Sequence, residues 1–70
     1  MPNISIEGPP IKQIDRKRTL VAEVTETAVK AYGLPKDVIV VVIKENAPEN
    51  VGVGGWLIAD RPTRGSATPR

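Results

Sequence analysis

The order of apolar and polar positions divides the chain into three stretches of different period. Asn3 to Glu7 alternates, with Ile4 and Ile6 on one face and Asn3, Ser5 and Glu7 on the other, the period of two that marks a strand. Gly8-Pro9-Pro10 ends it. From about Ile14 to Tyr32 the apolar residues Leu20, Val21, Val24, Ala28, Ala31 and Tyr32 recur at helical spacing with charged and hydroxyl residues between them, which predicts a helix of about five turns. Asp15 is the expected N-cap, Gly33 falls where a left-handed residue closes a helix, and Pro35 follows as a stop signal. Val38 to Ile43 is a continuous β-branched run, the pattern of a strand covered on both faces.

A strand, a helix and a second strand make a right-handed βαβ unit with parallel strands. Ala47-Pro48-Glu49-Asn50 reads as a turn, and Val51-Gly52-Val53-Gly54-Gly55-Trp56 as a tight hairpin or bulge whose glycines suggest close backbone approach. The fold class is therefore α/β (α+β), a βαβ unit with a short C-terminal β-hairpin. Residues 1–60 form the expected domain, and 61–70, without periodicity, the expected mobile tail. Two parallel strands and one helix are not a self-sufficient sheet. Open strand edges and an uncovered face on the Val38 to Ile43 run predict pairing with further copies of the chain.

Composition strengthens that expectation. A single core in a chain of 70 residues supplies only about 3–5 kcal/mol. Disulfides are impossible without cysteine, and a structural zinc site lacks its usual ligands because histidine is absent too. The net charge of +2 is too slight to argue for nucleic acid, and no apolar run approaches the roughly 20 residues of a membrane helix. With no secretory leader in view, the cytoplasm is the expected location.

The same absences direct attention to the N-terminus. Histidine and perturbed cysteine are the usual groups that change charge near neutral pH, and this chain has neither. An α-amino group titrates at roughly 7.7–8.0. Pro2 follows the initiator methionine, which is normally trimmed before a small residue, so its secondary amine is the candidate acid/base. Lys12, Arg16, Lys17 and Arg18 cluster where the helix should begin, and some of them, with the helix amides, are candidates for holding a carboxylate. A solvated face with weak pairs to Glu7 or Asp15 is the alternative. Gly52-x-Gly54-Gly55 lacks the Lys-Ser/Thr of a phosphate loop and fits turn geometry better. The carboxylates Glu23, Glu26, Glu45, Glu49 and Asp60 show no catalytic spacing.

Pro2 at the head of a strand, the βαβ pattern and the late Asn50-Val51-Gly52-Val53-Gly54-Gly55 segment together resemble the 4-oxalocrotonate tautomerase family over about residues 2 to 60. The resemblance implies a cofactor-independent keto-enol tautomerase, assembled as a homohexamer, with the amine of Pro2 as general base and then acid on an enol or dienol carboxylate such as 2-hydroxymuconate. It puts Lys12 where the family has a substrate-binding arginine, with Arg16 and Arg18 in reserve, and Val51 on the apolar wall of the pocket. Val40 stands where the type enzyme has a second arginine, which marks a divergent member. The other reading of the same features is a non-catalytic oligomeric binding protein that keeps the fold.

Overall fold

The structure, a computed structural model, describes residues 1–60. The expected mobile tail at 61–70 lies outside the described residues. Strand β1 (Asn3–Gly8) leads through Pro9-Pro10 into helix α1 (Ile14–Tyr32), which returns the chain to β2 (Val40–Glu45). The two strands pair in parallel, Asn3 beside Val40 through Gly8 beside Glu45. Two backbone bonds extend the ladder: Val40 N–H donates to the Pro2 carbonyl at 3.0 Å and Asn46 N–H to the Gly8 carbonyl at 2.9 Å.

The helix has the span that its periodicity predicts, but its start differs. Gln13 occupies the N-cap without a side-chain bond, and Asp15 lies inside the first turn, where its carboxylate complements the helix dipole. At the other end Gly33 takes φ 66° and its N–H donates to the Val29 carbonyl, a left-handed closure. Val38 and Ile39 are not yet strand. Pro35 launches a 3₁₀ turn at Lys36–Val38, and the N–H groups of Val38 and Ile39 are spent on the carbonyls of Pro35 and Lys36. The strand therefore starts two residues later than its apolar run and extends through Lys44 and Glu45.

Ile4, Ile6, Val41 and Ile43 are half-buried on the side of the sheet that meets α1. The opposite face carries Asn3 beside Val40, Ser5 beside Val42 and Glu7 beside Lys44, all exposed. Coverage of β2 on both faces, expected from its sequence, is thus half supplied by the single chain. Among the described residues only Ala28 is buried, at 5% exposure.

After a 3₁₀ turn at Pro48–Asn50, β3 (Gly52–Val53) and β4 (Trp56–Leu57) form an antiparallel hairpin. Gly54 and Gly55 make its two-residue loop at φ 63° and 87°. Positive φ at both positions gives the twist that a tight hairpin needs. Within the chain close approach is not the reason for these glycines, because a Cβ at either would meet open space. Ile58 N–H closes the unit on the Val51 carbonyl at 2.8 Å, ahead of a final 3₁₀ turn at Ile58–Asp60.

Candidate functional site

Pro2 is half-buried at the head of the sheet, and Met1 before it is 84% exposed. The bond from Val40 anchors the Pro2 carbonyl, so the ladder holds the residue from its C-terminal side and leaves the nitrogen side outside the strand. Lys12 is at the other end. The Ile11 N–H donates to Glu45 Oε2 at 2.6 Å, which ties the loop after β1 to the last residue of β2. Pro2 is thus fixed beside Val40 and Ile11 beside Glu45, and the five intervening residue steps span roughly 17 Å at strand rise. Pro2 and Lys12 are ten residues apart in the sequence. Within one chain, strand length separates them.

The cations at the start of α1 fall into two pairs. Lys17 Nζ meets Glu45 Oε1 at 2.9 Å, and Arg18 Nη1 meets Asp15 Oδ1 at 2.7 Å. The side chains of Lys12 and Arg16 have no hydrogen-bond or ion-pair partner among the described residues, and both residues line one recess of about 600 Å³ with Pro10, Ile11, Gln13 and Leu20. Lys12 and Arg16 thus bring unpaired positive charge to this recess. Arg18, held in reserve by the sequence argument, pairs with Asp15 on the exposed surface of the helix.

Val51 lines a second recess, about 280 Å³ and mainly apolar, with Glu7, Gly8, Pro9, Asn46, Pro48 and Ile58. Asn46 Nδ2 donates to Glu7 Oε2 at 2.8 Å on its rim. Gly8 and Pro9 also lead into the Lys12 loop, so Val51, Lys12 and Arg16 share the C-terminal end of the parallel strands while Pro2 lies at the N-terminal end.

Glu45 is the residue that sequence reasoning passed over. Its carboxylate takes both the Ile11 N–H and the Lys17 ammonium, and its side chain is 27% exposed. The Ile11 bond foremost, then the Lys17 bond, hold its pKa below the ordinary 4.5. No motif spacing announces it. The available signal was its place after Lys44 at the strand end, opposite Gly8 once the parallel register is known.

Comparison with known proteins gives these features a family. The model for the tautomerase enzymes matches residues 2–61, beginning at Pro2. A Listeria monocytogenes protein named Probable tautomerase is 38% identical over 60 residues, which cover 86% of this chain and 98% of the relative. The crystal structure of DmpI from Archaeoglobus fulgidus matches with a TM-score of 0.76 at 41% identity, covering 84% of this chain and 100% of that one. That of a 4-oxalocrotonate tautomerase homologue matches with a TM-score of 0.80 at 26% identity, covering 89% and 98%. Shared from Pro2 through the glycine hairpin, in sequence and in fold, this likeness makes the chain a member of the tautomerase family of enzymes.

Proposed function

We propose that this enzyme is a cofactor-independent keto-enol tautomerase in which the amine of Pro2, freed by removal of Met1, acts as general base and then general acid. The substrate class is an enol or dienol carboxylate such as 2-hydroxymuconate. The neutral amine takes the proton of the enol hydroxyl and becomes an ammonium. The resulting enolate then takes that proton back on carbon, giving the ketone and restoring the amine. A reference value near 8 for an α-amino group suits a base that must be uncharged close to neutral pH, and an apolar surrounding would lower it further. Lys12 and Arg16 hold the carboxylate, and Val51 contributes to the apolar wall.

The observation that carries this reading is the family match starting at Pro2. The roughly 17 Å between the ends of the sheet adds a requirement: the amine and the cations of one working site come from different copies. Self-association fits the exposed apolar surface, since Val40, Val42, Val53, Leu57 and Ile58 are each between 36% and 48% exposed. The homohexamer implied by the family resemblance is the assembly we assign.

The deciding experiment compares Pro2→Ala with the parent chain, both verified by intact mass to lack Met1, in ketonisation of 2-hydroxymuconate. A fall in turnover of at least about 100-fold, the usual worth of a positioned acid/base, is expected with the assembly unchanged. Undiminished turnover would remove the assignment.

A further inference from the structure

We propose that Glu45 is a positioning residue for the anion site, holding the Lys12 loop in its binding geometry through the backbone of Ile11. The inference rests on the reading of Lys12 and Arg16 as the carboxylate site. Pro9 and Pro10 offer no N–H, so Ile11 is the first residue after β1 whose amide can tie the loop to the rest of the fold. That amide donates to Glu45 Oε2 at 2.6 Å across 34 residues of sequence, and Lys12 is the next residue. The other oxygen of the same carboxylate receives Lys17 Nζ at 2.9 Å, so one side chain fastens the loop and the first turns of α1 to the end of β2.

The arrangement also selects which cations are available. Lys17 points its charge into Glu45, Arg18 into Asp15, and Lys12 and Arg16 remain to face the recess. Neighbouring cations on a helix start repel one another and follow any nearby acid. Without Glu45 the Lys17 ammonium is released next to the recess while the loop carrying Lys12 loses its tether. The consequence is an anion site whose charge persists but whose geometry does not. A lysine binds as a point charge on a flexible stem, so its affinity depends on where the backbone places it. This is the physical reason for a backbone clamp immediately before Lys12.

The test uses cis,cis-muconate, a dicarboxylate that lacks the enol hydroxyl, as a binding probe in calorimetry, separate from any turnover assay. Glu45→Ala is expected to weaken muconate binding about tenfold, the scale of one lost charge-assisted hydrogen bond. Glu45→Gln, whose amide oxygen still accepts from Ile11, is expected to recover most of that loss although it cannot neutralise Lys17. In a Lys12→Ala background, Glu45→Ala should cost clearly less than in the parent, because the loop tether then positions no lysine. Equal binding by the parent and Glu45→Ala, additive losses with Lys12→Ala, or no muconate binding by the parent would each overturn the proposal. Should Glu45→Ala fail to fold, Ile11→Pro, which removes the donated N–H and keeps both Glu45 and Lys12, carries the decision: weaker muconate binding is expected, and binding equal to the parent would overturn the proposal. Failure of the parent to ketonise 2-hydroxymuconate while binding muconate normally would count against the catalytic reading alone.

Discussion

At the scale of single residues, the charges around the start of α1 are set by partners rather than by position in the sequence. Four cations within seven residues look equivalent on paper, and an acid from a distant strand end separates them. Glu45 is also the group that gives the fold an acid limit. Its pKa is lowered by the Ile11 and Lys17 bonds, so the stabilisation it provides is fully present above the ordinary 4.5 and is lost as pH falls through the lowered folded value. Thermal melting followed from pH 7 down to about pH 3 should therefore show a decline that is shallower in Glu45→Gln, and identical slopes would contradict the assignment. Pro2 and Lys12 were legible in the sequence as candidates for the proposed chemistry. Their separation was not, because it depends on a parallel register and a strand length that local patterns leave open.

At the scale of elements, the period of the apolar positions was a faithful guide wherever one element buries one face. β1 and α1 have that character, and their place and type follow from Ile4, Ile6 and the Leu20 to Tyr32 spacing, although β1 takes in Gly8 and the cap of α1 falls on Gln13. The continuous run Val38 to Ile43 carries no period, and there the boundary was set instead by a turn after Pro35 that captures two N–H groups. In the hairpin the glycines were visible but their purpose was not, since close approach and positive φ leave the same mark on a sequence. The two purposes predict different substitutions. Gly55→Val, forced to φ 87°, should destabilise by about 1–2 kcal/mol in denaturant unfolding, the cost of a left-handed conformation for a side chain with a Cβ. Gly54→Asn should be neutral within about 0.5 kcal/mol, because asparagine is favoured at the first position of this turn and nothing lies within 4 Å of the added Cβ. Equal losses in both variants would refer the glycines back to packing.

At the scale of the whole molecule, a chain with Ala28 as its only buried residue among those described has much apolar surface still to cover. The outer sheet face offers Val40 and Val42 flanked by Asn3, Ser5, Glu7 and Lys44, apolar in the middle of β2 and polar around it. Val42→Asp would place a carboxylate in the apolar part of that face, and burying it against another copy is costly even with Lys44 on the same face. Light scattering after size exclusion should show a shift to smaller species for Val42→Asp and none for Ser5→Ala. An unchanged mass would move the interface elsewhere. The length of β1 has a further consequence once a site draws its amine from one chain and its cations from another. A chain defective in both Pro2 and Lys12 spoils two sites, its own contribution to each of two neighbours, so in randomly mixed assemblies activity should fall as the square of the intact fraction and not in proportion to it. Chains carrying one defect each should do the reverse, with co-refolded Pro2→Ala and Lys12→Ala recovering about a quarter of the parent rate at equal mixture. A strand six residues long would then make inheritance of a faulty copy partly dominant, and two faulty copies of different kinds partly complementary.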